Sequence, residues 1–178
     1  RISNEYKCDK VYMDNFKATF DCIDHLSKRG KNKIAFISPI HNTIIGKERL
    51  NGYVEGLKIN KIEYKPELYI PSSESDNIQS EIIKLTADKK IDAIICMDPQ
   101  ITVLIHSLLL NLDYKIHDDI ALLGFTDGPM YEFIKPSITC VNQHGEYLGK
   151  HSAKILIDRI NNKLGLDFIN EKVPTSLI

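Results

Sequence analysis

The sequence predicts an α/β domain built on an open, doubly wound parallel sheet. Three observations point there. Short β-branched runs alternate with segments of helical period along the chain, as βαβ units do. The runs at 34–37, 93–96 and 120–123 are almost continuously apolar, which strands become when helices cover both faces of their sheet. A length of 178 residues with 43% hydrophobic content is enough to bury one sizeable core.

The first strand is expected over 11–13 and the others over 33–38, 67–70, 92–97, 120–125 and 138–141. After the first, Phe16, Phe20, Ile23 and Leu26 recur at i, i+4, i+7 and i+10, one face of a helix. Gly30 follows, where a left-handed residue ends such a helix. Leu50, Tyr53, Val54 and Leu57 mark a second helix, and Ile78, Ile82 and Leu85 a third. Ile101, Leu104, Ile105, Leu108 and Leu109 mark a fourth; Leu148, Ile155, Leu156 and Ile160 mark a fifth. The polar stretch 71–77 reads as a surface loop leading into the third helix. The opening 1–10 is polar and unpatterned, and 171–178 reads as an apolar, strand-like tail, ends expected of a piece of a longer protein.

Charge and composition exclude several functions. Lys plus Arg (23) and Asp plus Glu (24) nearly cancel, so the chain lacks the electropositive footprint that phosphate neutralisation on nucleic acid requires. The four cysteines form no C-x-x-C pair, and Cys22, Cys96 and Cys140 sit in apolar runs, where thiols behave as small buried hydrophobes. No apolar stretch approaches the ~18 residues of a membrane span, and no basic start leads into an apolar export signal. A cytoplasmic, reducing setting is expected. There is no G-x-S-x-G elbow, no G-x-x-x-x-G-K-[ST] phosphate loop and no G-x-G-x-x-G fingerprint. His25, His106, His117, His144 and His151 lack metal-ligand spacing. Neither enzyme chemistry, a cofactor nor a metal is expected.

Open α/β sheets bind ligands beyond the carboxyl ends of their strands, here the loops after Ser38, Met97 and Phe125. These regions hold a specific ordered series. Gly124-Phe125-Thr126-Asp127, then Pro136-Ser137-Ile138-Thr139-Cys140-Val141-Asn142-Gln143, then Leu148-Gly149 with Ala153 and Leu156, resemble the corresponding segments of the lactose/galactose-repressor family. Val11-Tyr12-Met13-Asp14-Asn15, Arg29-Gly30 ahead of Ile34-Ala35-Phe36-Ile37, and Arg49-Leu50-Asn51-Gly52-Tyr53 keep the same order. The resemblance covers essentially the whole chain. It implies a periplasmic-binding-protein-like (type I) fold with two lobes. Residues 1–30 would end the N-terminal lobe and cross over, 31–142 would form the C-terminal effector-binding lobe, and 143–178 would supply a crossing helix and a terminal strand segment. It further implies a homodimer that senses a small molecule, a sugar or related metabolite, and reaches operator DNA only through a helix-turn-helix head outside this chain.

The candidate ligand residues each have a plainer reading. Arg49, expected to open a helix, can clamp hydroxyls or a carboxylate with its planar fork, and the resemblance makes it the effector-binding arginine; otherwise it is a solvated first-turn side chain beside Glu48. Assigned to a cleft and not to packing, it should tolerate replacement by alanine without loss of fold. Asp98 before Pro99 suits a helix N-cap as well as a ligand contact, and Met97 stands where the family has a polar residue. Thr126 replaces the family's usual ligand-binding Asp, while Asp127, followed by Gly128-Pro129, also suits a plain turn. Gln143 lies at the lobe crossing, and His41 and Asn42 lie in the loop after the 33–38 strand. The function expected is effector sensing for a transcription regulator. The alternatives are an exported sugar-binding protein of a transporter, with the same architecture, and a sugar- or nucleotide-processing α/β enzyme.

Overall fold

The computed structural model describes residues 6–72, 74–125, 128, 131 and 133–178. Its elements are, in chain order, Lys10–Met13 (β1), Asn15–Lys28 (α1), Ile34–Ile37 (β2), Ile44–Ile59 (α2), Tyr69–Ile70 (β3), Ser75–Ala87 (α3) and Ala93–Cys96 (β4). Pro99–Asn111 (α4), Ala121–Gly124 (β5), Thr139–Asn142 (β6), Gly145–Ile160 (α5), Asn170–Val173 (β7) and Ser176–Leu177 (β8) complete them. The main sheet has the order β3-β2-β4-β5-β6-β8, parallel throughout except for β8, which runs antiparallel to β6. A separate two-stranded sheet pairs β1 with β7 in parallel.

Strand alternation divides the core into two layers. Ile34 and Phe36, Ala93 and Ile95, Ala121 and Leu123, and Val141 face α1 and α2. Ala35 and Ile37, Ile94 and Cys96, Leu122, and Cys140 face α3 and α4. Each strand therefore needs apolar side chains on both sides, which is why these runs are continuous and not alternating. The fold is the doubly wound α/β arrangement predicted. Cys22, Cys96 and Cys140 are buried free thiols, and desolvation raises the pKa of Cys22 and Cys96 far above the usual thiol value.

Local chemistry sets the helix ends. Asp14 caps α1 by accepting from the Lys17 amide at 3.0 Å. Gly30 adopts φ of +77° just past its end, and the amides of Gly30 and Lys31 bond back to Ser27 and Leu26, closing the helix as expected from the glycine. The strand expected over 67–70 shrinks to Tyr69–Ile70 because Pro66, with no amide hydrogen and a fixed φ, opens a short 3-10 turn over Pro66–Leu68 instead.

The strand-like tail at 171–178 divides between the sheets: β7 joins the small sheet and β8 joins the large one. Ala18, Cys22, Ile23 and Leu26 of α1 enter the core layer on the large sheet. That approach is close because α2 presents glycines to α1. A Cβ on Gly52 would lie 2.2 Å from the Phe16 carbonyl oxygen, and one on Gly56 would lie 2.9 Å from Ile23 Cβ. Tyr53 between them is fully buried, stacks on Phe36 at 4.8 Å and donates its hydroxyl to the Ile34 carbonyl at 2.9 Å.

The small sheet is tied by charge. Arg159 of α5 grips Asp9 through Nη2 at 2.6 Å and Nε at 3.0 Å, and the Ile169 amide donates to the same carboxylate at 2.8 Å. Arg159 and that amide hold the Asp9 pKa below the usual carboxylate value.

Gly52→Ala is expected to lower stability by about 1–3 kcal/mol, because main-chain atoms of α1 must move away; the shift of the urea midpoint at unchanged slope measures it. For Asp9, a depressed folded-state pKa means its stabilisation is complete above about pH 4 and is lost as the pH falls through the folded value. In Asp9→Asn, unfolding followed by circular dichroism should lose that part of its acid dependence.

Candidate functional site

Past the carboxyl ends of β4, β5 and β6, one guanidinium organises the structure. Arg49 lies in the second turn of α2, since the helix begins at Ile44 and is capped by Thr43, whose hydroxyl accepts from the Gly46 amide at 3.0 Å. Gly46 is required there: any Cβ would fall 2.1 Å from the Ile40 carbonyl oxygen. Arg49 is only 5% exposed, so the solvated first-turn reading is corrected. Its Nε donates to Asn15 Oδ1 at 3.1 Å, Nη1 to the Met97 carbonyl at 3.3 Å and Nη2 to Gln143 Oε1 at 3.4 Å. Its carbon centre stands 4.0 Å over the Phe125 ring. Burial pulls its pKa down to about 10, which leaves it cationic at neutral pH.

The partners are themselves fixed. Asn15 is 1% exposed, and its amide nitrogen donates to Glu48 at 3.1 Å and to the Met13 carbonyl at 3.3 Å. Gln143 donates to the Phe125 carbonyl at 3.4 Å while accepting from Arg49, so it joins the tips of β5 and β6. Met97 lacks the polar side chain of the resembled motif, yet its main-chain oxygen serves as an acceptor.

Arg49 and Gln143 line one cleft of about 510 Å³, with Asn15, Met13 and Tyr12 from the first crossing, Ile45 from α2, and Leu148 and Ser152 from α5. The cleft has the size of a small-molecule site and an apolar wall with a few convergent polar groups. The other described candidates do not line it. Asp98 is the N-cap of α4, with Oδ1 accepting from the Gln100 and Ile101 amides at 2.9 and 3.1 Å; it does not line this cleft. His41 and Asn42 also lie outside the lining; Nδ1 of His41 is buried with no hydrogen-bond partner among the described residues, and Asn42 is exposed. Thr126 and Asp127 fall outside the described residues. Asn15 and Phe125 were present in the motifs quoted from the sequence but not singled out. The signal for Asn15 was a polar side chain directly after a helix cap and beside an apolar face. Among the described residues no group of His, Cys, Asp and Glu could hold a metal ion, and no helix is long and apolar enough to cross a membrane.

A family model described as "Periplasmic binding protein-like domain" matches residues 23–178. The chain belongs to the periplasmic binding protein-like family. The curated relatives it matches are named as HTH-type transcriptional regulators. It is 31% identical over 167 residues to a protein of Paenibacillus polymyxa named "Probable HTH-type transcriptional regulator EndR", covering 92% of this chain and 49% of that one. It is 26% identical to the HTH-type transcriptional regulator CelR of Thermobifida fusca, covering 89% of this chain and 47% of that one. The periplasmic binding protein-like chain thus spans about half the length of the curated relatives it matches. Among solved structures, the transcriptional regulator CelR–cellobiose complex superposes with a TM-score of 0.84 at 25% identity, over 97% of this chain and 53% of that one. A regulatory protein of the LacI family from Chloroflexus aggregans gives 0.88 at 19% identity, over 100% of this chain and 64% of that one, a likeness of fold.

Arg49→Ala is expected to lower stability by about 2–4 kcal/mol, since it leaves Asn15 Oδ1 and the Met97 carbonyl without a buried donor and opens a cavity under the Phe125 ring. This replaces the expectation that the fold would be indifferent to that substitution, and calorimetric unfolding checks it. Asp98→Ala should cost about 1 kcal/mol through loss of the cap alone.

Proposed function

We propose that this chain is the effector-sensing part of a transcription regulator, taking a small, sugar-like molecule into the Arg49 cleft. The observation that carries the reading is the buried, cationic guanidinium of Arg49, held at the meeting point of three strand tips and lining a ligand-sized cleft. Such a group offers fixed, charge-assisted donors to hydroxyls or an anion. Two related structures support a sugar ligand, one described as a cellobiose complex and one from Enterococcus faecium described with bound ribose. The relatives are named as regulators, which favours this reading over an exported binding protein or an enzyme, and with it a cytoplasmic homodimer. Gln143 and the first crossing contribute to the same site; Asp98, His41 and Asn42 would serve only at its rim, and for Thr126 and Asp127 a ligand contact rests on the sequence motif alone.

In this reading the large sheet with α1 to α4 is one lobe, while β1, β7 and α5 belong to the other. Leu156, Ile157 and Ile160 of α5 are 55–69% exposed, an apolar face suited to the further chain that the longer relatives possess. DNA contact would belong to that further chain as well. Ligand binding alters DNA affinity only by as much as it distinguishes two lobe arrangements.

The test is calorimetric titration with a panel of mono- and disaccharides, cellobiose and ribose among them. One sugar should bind saturably without turnover, and Arg49→Lys, which keeps the charge but loses the fork, should weaken it at least about tenfold. Unchanged affinity in that variant removes Arg49 from the site, and sugar conversion would instead establish an enzyme.

A further inference from the structure

A second cavity, of about 270 Å³, opens at the other end of the large sheet, where Ala121 begins β5 and Thr139 begins β6. Its walls come from three separate segments. His25 and Arg29 are at the end of α1, Lys31 follows Gly30, and His117 precedes β5. Leu26 and Leu123 give it an apolar floor, and Thr139 adds a hydroxyl. No carboxylate lines it. A cavity walled by four basic residues of three different chemistries, with no acidic residue among them, is an unbalanced electrostatic environment, and the deficit is a negative charge.

Two of the neighbouring carboxylates are already engaged. Asp24 pairs with Lys28 at 2.6 Å, and Asp119 accepts from the Lys115 amide at 2.8 Å. The carbonyls at the end of α1 are met by its own closing amides: Leu26 by those of Arg29 and Lys31, and Ser27 by that of Gly30. Lys31 is fixed in place by the carbonyls of Asp118 at 2.8 Å and Asp119 at 3.4 Å, which leaves one of its three N–H donors over. His117 is oriented by Nε2 against the Ser137 carbonyl, on a backbone with φ of +81°, a conformation that few non-glycine residues hold without being constrained.

We propose that this cavity is a second binding site, for a small phosphate-bearing anion, in which Arg29 and His25 supply the principal donors, Lys31 the surrounding charge, and His117 and Thr139 ring and hydroxyl contacts. Arg29 is exposed and suited to close over an oxyanion with two parallel N–H bonds. The volume is at the lower edge of ligand sites, which fits a phosphate with a short organic body and excludes a nucleotide. The site is independent of the Arg49 cleft: the two lie at opposite ends of the strands, and the cavity uses only the large sheet and α1.

Charges around His25 supply a direct readout. Burial lowers its pKa first and the neighbouring Arg29 second, with Lys28 adding to the effect and Asp24 opposing it; Lys31 and His117 are the basic residues that share the cavity from other segments. A bound anion reverses that repulsion. The experiment is an NMR titration of the histidine ring protons in the 178-residue chain with inorganic phosphate, glycerol phosphate and, as the uncharged control, glycerol. Both phosphates should shift His25 and His117 saturably and raise the His25 pKa, while glycerol leaves them unmoved. Tighter binding of glycerol phosphate would identify an organic phosphate as the ligand, and equal binding would identify free phosphate. Arg29→Gln, an exposed position that leaves folding intact, should weaken binding at least about tenfold and raise the pKa of His25 in the absence of ligand. Lys17→Gln, on α1 but outside the cavity lining, should change neither. An absent or unsaturable His25 response, or the same midpoint in Arg29→Gln as in the parent chain, would overturn the proposal without touching the reading of the Arg49 cleft.

Discussion

Desolvating a guanidinium is the constraint around which the rest of this structure is arranged. A charge that is 5% exposed is unfavourable unless oxygens and a π-face replace its water. Here those replacements come from distant parts of the chain: Asn15 after the first strand, Met97 and Phe125 at the tips of β4 and β5, and Gln143 after β6. Each must be in place for the others to be satisfied. The interaction therefore fixes the relation of α1, α2 and three strand ends at once, and it does so on the wall of the cleft.

That arrangement explains why structure and recognition are hard to separate at this site. The same guanidinium that offers donors to a ligand already holds acceptors of its own, and at 3.3–3.4 Å two of these bonds are long. A ligand hydroxyl approaching the cleft competes for, or adds to, a set of contacts that reaches two of the chain's crossings, at Asn15 and at Gln143. Gln143 is the informative member, because it bonds the β5 tip with its nitrogen and Arg49 with its oxygen.

Much of the fold was legible because its signals are local. The doubly buried strands announce themselves as continuous apolar runs, the helices as stripes at i and i+4, and the end of α1 as a glycine able to adopt φ of +77°. Arg49 was recognisable as special by its chemistry and its motif. Its burial was not, because the acceptors that permit burial are remote in sequence. Asp98 is the opposite case, with a local capping role that fully accounts for its oxygen contacts. The division of the tail was not legible, because pairing with two sheets is decided by distant partners, and Asn170–Val173 carries no period that would reveal it.

The two sheets are joined by very little chain. Counting α1 with the large sheet and α5 with the small one, the backbone of the described residues passes between the two groups at Asp14, at Gln143 and His144, and at Pro174 and Thr175, each passage only one or two residues long. In the proposed two-lobe reading, short straps of this kind would yield to folding about a common line, as the leaves of a book turn on its spine. Because Gln143 lies within one strap and Asn15 borders another, such an opening would stretch or reseat the bonds of Arg49, coupling the angle between the leaves to the occupancy of that one side chain's donors.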